Sequence, residues 1–168
     1  MNRLKIVFII LLGIICFSAC EKDDICVDGN TPLLVIRFYD FDDPEEIKAV
    51  PNLRIAGLGQ EFTVNTIADR TSLDSIGIPL RIGETSTGFY FIMDSETDEN
   101  EIETGNIDTL SFSYESKEIF ISRACGFIVN YDKLDSSLET GTDNWIKSIV
   151  IDTTFITNST QAHVKIFH

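Results

Sequence analysis

A cysteine at position 20 stands where a secretory leader would be cleaved. Two basic residues lie within residues 1–5, twelve apolar or small residues follow at 6–17, and Ser18-Ala19 comes directly before Cys20. This order is typical of a secretory signal peptide, and a cysteine next to the cleavage point can be acylated. A twelve-residue helix is about 18 Å long, whereas the hydrocarbon core of a bilayer is about 30 Å thick. The segment therefore predicts a leader, residues 1–19, rather than a membrane-spanning helix.

The residues around the cleavage point resemble known export signals. Phe17-Ser18-Ala19-Cys20 resembles the lipobox of bacterial lipoproteins, with Phe17 where the pattern usually has Leu. The resemblance implies that Cys20 becomes the mature N-terminus and carries acyl chains, so that the lipid bilayer is one partner. Residues 21–24, Glu-Lys-Asp-Asp, resemble the signal that follows the lipid cysteine in surface-exported lipoproteins of Bacteroidota. This implies an outer-membrane lipoprotein that faces the exterior; the alternative is a solvated tether on a protein that faces the periplasm.

Two cysteines remain once the leader is removed and Cys20 is acylated. Cys26 follows the anchor closely, and Cys125 lies about 100 residues further on. In an exported protein two such thiols usually form a disulfide. A buried thiol pair and a metal site are the alternatives, although two cysteines without nearby histidines make a poor zinc site.

The composition bounds the class of protein. The chain has 168 residues and a net charge of −14. Loss of residues 1–19 removes two basic residues, which leaves 11 basic against 27 acidic residues, or −16. This acidity argues against a nucleic-acid partner, which requires a basic footprint. The 149 mature residues suffice for one domain with its own core.

No catalytic or cofactor-binding motif stands out. The two histidines, His163 and His168, are expected on opposite faces of a strand, which does not suit a shared metal, and His163 is expected at the surface. No nucleophile elbow, zinc-protease motif or phosphate-binding glycine loop occurs. The acidic stretch at residues 94–103 has alternating oxygen ligands, but it lacks the glycine and glutamate of an EF-hand loop. We therefore expect no metal, no cofactor and no catalytic residue, with an irregular calcium site in this loop as an open alternative.

Trp145 is the candidate ligand contact. It lies in a predicted polar loop beside Asp143 and Asn144, and exposed aromatic residues with such neighbours are typical of sugar-binding platforms. The alternative is that the indole packs onto the core, since tryptophan is heavily buried on average.

The rest of the chain predicts strands. Apolar residues recur with period two from Leu33 onward, as in residues 33–39, 53–56, 62–67, 76–82, 89–93, 110–114, 119–129, 149–156 and 162–167. Polar loops are expected at residues 94–106 and 132–144, and a hairpin turn at residues 115–117. Pro79 lacks a backbone donor, which predicts an edge or bulged strand. Eight or nine strands without an amphipathic helix predict an all-β fold, a single antiparallel β-sandwich of immunoglobulin-like architecture. The cysteine and tryptophan spacing is not that of a true immunoglobulin domain.

Several segments together resemble an uncharacterised family of Bacteroidota lipoproteins, a domain of unknown function. They are residues 20–26, 31–40, 78–80, 108–110, 122–126 and 163–167. The resemblance supports acylation of Cys20 and pairing of Cys26 with Cys125, and it brings no activity with it. Three Asp-Ser/Thr motifs, at residues 74, 108 and 152, resemble the O-glycan acceptor pattern of exported Bacteroidota proteins.

These observations predict a leader (1–19), an anchor with an acidic tether (20–31) and a β-sandwich domain (32–168). The function expected is that of a membrane-anchored module that binds a glycan or an outer-membrane protein partner. One alternative is a hydrolase that uses carboxylates on an extracellular polymer, which would require two close carboxylates in a pocket, one with a raised pKa. A structural stalk or fimbria-like subunit is the other.

Overall fold

The computed structural model of the protein describes Cys26 and residues 30–168, and the regular secondary structure of this part of the chain consists of β-strands. Nine strands form two sheets, and no helix occurs among the described residues. The prediction of an all-β sandwich with eight or nine strands is therefore confirmed. No helix in the described part is long and apolar enough to cross a membrane.

The nine strands differ in length. They are β1 (Leu34–Tyr39), β2 (Val50–Gly57), β3 (Thr71–Leu73), β4 (Ser75–Ile78), β5 (Ser86–Met93), β6 (Asn106–Ser122), β7 (Gly126–Leu138), β8 (Ser148–Ile151) and β9 (Val164–Phe167). The two longest, β6 and β7, are neighbours in the chain.

The smaller sheet has the order β4-β1-β9-β8 and the larger has the order β3-β2-β5-β6-β7. Strand β4, which ends just before Pro79, lies at an edge, as Pro79 predicts. Strands β8 and β9 pair antiparallel, as the predicted terminal hairpin requires. Strands β1 and β9, however, run parallel, from Ile36 beside Val164 to Tyr39 beside Phe167. The expectation of a purely antiparallel sandwich is corrected on this point.

The core lies between the two sheets because each strand turns alternate side chains inward. On β1, Leu34, Ile36 and Phe38 are fully buried while Arg37 is exposed. The same alternation on the other strands builds one apolar cluster, to which the larger sheet contributes Leu53, Ile55, Phe89, Phe91, Leu110, Phe112 and Tyr114. Chain contacts place this core in the larger of two units, Asn30–Ile119 with Ile128–His168.

The smaller unit comprises Phe120–Phe127 together with the N-terminal Met1–Gly29, of which only Cys26 is described. Strand β6 continues through residues 115–117, so the hairpin turn expected there is wrong. Glu115, Ser116 and Lys117 are polar, but none of them favours the left-handed backbone that a tight turn needs. The chain reverses at residues 123–125 instead. Gly126, which follows this turn, has a φ of 70°, and the Cys125 N–H donates to Ser122 Oγ at 3.1 Å.

Two other strand limits differ from the prediction. The polar segment that begins at residue 132 was expected to be a loop, but β7 continues to Leu138. The segment 62–67 was expected to be a strand, but it makes only one bridge, between Thr63 and Ala56, within a long connection. The predicted leader and the anchor residue Cys20 lie outside the described residues.

Candidate functional site

A groove lies on the outer face of the larger sheet. Because successive strand side chains point to opposite faces, Arg54 and Ala56 on β2 lie on the face opposite the core. The register places Ile92 beside Arg54, Tyr90 beside Ala56, and Ile107 of β6 beside Ile92. All five residues line a groove of about 620 Å³, which we call the Tyr90 groove. Its floor is apolar and carries one aromatic ring.

The Glu103 carboxylate holds the rim of the Tyr90 groove together. Its Oε2 accepts hydrogen bonds from Ser95 Oγ at 2.8 Å and Arg54 Nη1 at 3.3 Å, and lies 3.5 Å from Arg70 Nη2. Its Oε1 accepts from the Gly105 N–H at 3.1 Å. Burial alone would raise the pKa of Glu103, but these hydrogen bonds and the two guanidinium groups lower it overall. Glu103 is therefore charged at neutral pH and fixes the loop that follows β5 to the sheet.

The two arginines of the rim donate hydrogen bonds to other groups of the protein. Arg54 Nη2 donates to the carbonyl oxygen of Glu61 at 2.9 Å. Arg70 Nε donates to Ser95 Oγ at 3.1 Å, and its Nη2 donates to Thr97 Oγ1. Their charges are offset by carboxylates of the same rim, so the groove does not present a free cationic site. This favours an uncharged ligand over an anionic one.

The acidic loop at residues 94–105 organises its own backbone. Asp98 Oδ1 accepts from the N–H groups of Asn100 at 2.8 Å and Ile102 at 2.9 Å, and these bonds lower the pKa of Asp98. Within residues 30–168 and Cys26, no three His, Cys, Asp or Glu side chains come together as a metal-ligand set. The carboxylate of Asp98 thus has a structural use in the turn.

Asp108 is a buried carboxylate in a second cleft. It is 2% exposed, and the cleft of about 330 Å³ is also lined by Glu139 and Asp143. Asp108 Oδ2 accepts from the Ile146 N–H at 2.8 Å, and Oδ1 accepts from Asn144 Nδ2 at 2.9 Å. Burial raises the pKa of Asp108, while these hydrogen bonds act in the opposite direction. Because both of its oxygens accept hydrogen bonds, Asp108 fixes the loop before β8 in place. The Asp108 side chain of this Asp-Ser/Thr motif is therefore buried.

Trp145 packs into the core instead of presenting a platform. Its side chain is 4% exposed, and its indole N–H donates to the carbonyl oxygen of Phe91 at 3.2 Å. The ring lies 6.4 Å from Phe38 and 5.5 Å from His168, centroid to centroid. The structure therefore favours the alternative of core packing over the exposed platform expected at Trp145.

His163 is buried, so the expectation of a surface histidine is wrong. It is fully inaccessible and lies just before β9. Its backbone N–H donates to the carbonyl oxygen of Val35 at 2.8 Å, and its Nδ1 accepts from the Val35 N–H at 3.0 Å. Nε2 then carries the proton and has no hydrogen-bond partner among the described residues. Burial lowers the pKa of His163, and the backbone of Asn158 acts in the opposite direction.

The end of the β6–β7 hairpin carries the disulfide. Cys26 and Cys125 are bonded, with their Cα atoms 4.9 Å apart. Beside the bond, the rings of Phe120 and Phe127 lie 5.3 Å apart, and both side chains are more than half exposed.

Two packed sheets, with a parallel β1–β9 pair in the smaller one, define the class, and a groove lies on the outer face of the larger sheet. The protein is thus an all-β sandwich protein. Over residues 52–168 it matches a family of unknown function (DUF6452), and the chain belongs to that family. Neither the curated proteins nor the solved structures contain a match to it.

Sequence reasoning missed the residues of the Tyr90 groove. Alternation along β2 and β5 already assigns Arg54 and Tyr90 to outward positions, which was the available signal. The partnership with Glu103 depends on the order β2-β5-β6 and on the path of the loop after β5, and neither follows from a local pattern.

Proposed function

We propose that this protein is an exported lipoprotein, held in the outer membrane by acylated Cys20, that binds a neutral glycan in the Tyr90 groove outside the cell. The anchor is supported by the leader, the residues before Cys20 and the acidic tether after it. The surface-facing location is supported by the resemblance of residues 21–24 to an export signal.

One observation carries the binding role: an apolar, aromatic floor bordered by polar side chains that are held in place. Sugars combine apolar ring faces with hydroxyl groups. The ring face would pack on Tyr90, and the hydroxyl groups would form hydrogen bonds with Gln60 and Glu101 at the rim. Arg70 and Glu101, both of which line the groove, have φ values of 53° and 65°. Such left-handed backbone costs about 1–3 kcal/mol per residue and is found disproportionately at binding sites.

Binding is favoured over hydrolysis by the state of the acids. The carboxylate with the raised pKa, Asp108, is 2% exposed and accepts hydrogen bonds from Asn144 and Ile146, which stabilise its charged form. A general acid instead has to hold a proton within reach of the substrate. Glu103, in the groove itself, is held in its charged form by hydrogen bonds from Gly105 and Ser95 and by the charges of the two arginines.

The test is a glycan array probed with the full mature protein in detergent. A buried aromatic anchor is worth about 2 kcal/mol or more on truncation, so Tyr90→Ala is expected to weaken binding about 30-fold or more. Tyr90→Phe keeps the ring and is expected to bind within a few fold of the original protein.

Phe155→Ala is the matched control, because Phe155 is 58% exposed and does not line the groove. It is expected to bind as the original protein does. Absence of any retained glycan, or equal retention by Tyr90→Ala, would contradict the proposal. Release of shortened chains from a bound polymer would instead favour the hydrolase.

A further inference from the structure

The end of the β6–β7 hairpin is an apolar surface without acidic residues. Residues 119–127 contain no Asp or Glu and one cation, Arg123, in a chain with 27 acidic residues. Phe120 is 56% exposed, Phe127 is 65% exposed, and Ile121 is 37% exposed. We call Phe120, Ile121 and Phe127 the hairpin-end patch. Exposed apolar clusters of this kind mark surfaces that contact a partner or a membrane.

The hairpin-end patch extends over both faces of the strand end. Phe120 contacts Phe127 on one face, with ring centroids 5.3 Å apart. Ile121 follows Phe120 in β6 and therefore points to the opposite face. A protein partner that packs on a flat sheet covers one face, whereas a lipid interface surrounds the inserted end. Phenylalanine side chains bury apolar area at a lipid interface, and an arginine beside them can keep its guanidinium group in the headgroup region.

The disulfide ties this patch to the anchor. Cys125 lies two residues before Phe127 and is bonded to Cys26, with their Cα atoms 4.9 Å apart. Only six residue steps separate Cys26 from Cys20, and six steps span at most about 22 Å. The headgroup region of one leaflet is itself about 5–8 Å thick. A chain acylated at Cys20 therefore keeps the hairpin end within reach of the bilayer surface at all times.

We propose that the hairpin-end patch inserts into the interface of the leaflet that holds the acyl chains, as a second contact between the protein and the membrane. The inference rests on the proposed acyl anchor. Acylation raises the effective concentration of the patch at the bilayer, so that a contact too weak to bind alone becomes persistent. Residues 119–127 carry one positive and no negative side chain, so an anionic leaflet does not repel this segment although the chain as a whole is acidic.

The test places a fluorescent reporter in the patch. The mature, acylated protein carrying Phe127→Trp is reconstituted in vesicles of phosphatidylethanolamine and phosphatidylglycerol, with and without brominated acyl chains. The emission of the unsubstituted protein, which comes from buried Trp145, is subtracted. We expect the added emission to shift to the blue and to be quenched by the brominated lipid. Phe155→Trp, a site of similar exposure, is the control and is expected to show neither change.

Phe120→Trp gives an independent reporter if Phe127→Trp folds poorly. Pairing Phe127→Trp with Cys26→Ser and Cys125→Ser is expected to reduce the quenching, because the patch is then no longer tied to the anchor. The intact mass of each preparation reports acylation separately from insertion.

The outcomes separate the two proposals. An acylated protein whose Phe127→Trp and Phe120→Trp reporters stay unquenched overturns the membrane contact and leaves the anchor standing. A protein without acyl chains overturns the anchor and the contact together. A blue shift that appears without lipid and grows with protein concentration assigns the patch to a second copy of the chain and also overturns the contact.

Discussion

His163 links the two ends of the domain, and its replacement is expected to destabilise the fold. Its Nδ1 is the acceptor for the Val35 N–H of β1, at 3.0 Å, in a fully buried position. His163→Ala removes that acceptor, and an unsatisfied buried N–H costs about 1–3 kcal/mol. His163→Asn offers an amide oxygen at nearly the same place and is expected to cost less. The ring Nε2, which lacks a partner among the described residues, contributes nothing that the substitution would lose.

The same residue makes stability depend on pH. Burial lowers the pKa of both His163 and His168 below the ordinary value of 6.5. As pH falls below 6.5 the unfolded chain takes up protons first, so this contribution is fully present above 6.5 and is lost as pH falls through the folded pKa values. Each histidine adds a slope of at most about 1.4 kcal/mol per pH unit in that interval.

The measurement is urea unfolding followed by the fluorescence of Trp145, the one tryptophan of the chain, at pH values from 7.5 down to about 5. The free energy of unfolding is expected to fall more steeply with decreasing pH in the original protein than in His163→Asn. Asp108, whose pKa is raised, has the opposite sign, but it is present in both proteins and cancels in the comparison. Equal slopes in the two proteins would refute the assignment to His163.

Three further substitutions test the loops and the disulfide. Gly105→Ala would place a Cβ 2.8 Å from the carbonyl oxygen of Met93, and we expect a loss of about 1–3 kcal/mol in the free energy of unfolding; an unchanged urea midpoint would contradict the packing. Asp108→Ala leaves the Ile146 N–H without its acceptor and is expected to cost about 1–3 kcal/mol, whereas Asp108→Asn keeps an acceptor and should cost less; the order of the two midpoints decides. Cys125→Ser opens a loop with a sequence separation of 99, which lowers stability by up to about 4.7 kcal/mol in the chain-entropy model. Reductant should lower the midpoint of the original protein and leave that of Cys125→Ser unchanged.

The strands could be predicted where alternation is regular. Strand β1 alternates without interruption, and Pro79 correctly indicated an edge. The continuation of strand β7 past residue 131 could not be predicted from the sequence. Lys133 has a φ of 53° and acts as an extra residue in the strand, so the buried side chains Tyr131 and Leu134 are three positions apart instead of two. A period-two pattern ends at such a bulge although the strand does not.

The order of the strands and the contacts of the loops could not be predicted from the sequence. The parallel pairing of β1 with β9 joins residues more than 120 positions apart, and nothing local to Ile36 or Val164 specifies it. His163 resembles a solvated residue in the alternating pattern, but the ring turns inward because it completes the hydrogen bonding of Val35. The period-two pattern is consistent with outward positions for Arg54 and Tyr90, but Glu103, the partner of Arg54, lies in a segment whose composition is typical of a solvated loop.

The acyl anchor is tested most directly by mass spectrometry of the N-terminal peptide of the native protein purified from membranes. We expect a mature chain that begins at Cys20 and carries acyl chains on its sulfur and its amino group. An N-terminal peptide that begins elsewhere, or one in which Cys20 is unmodified, would contradict the anchor and with it the placement of the Tyr90 groove outside the cell.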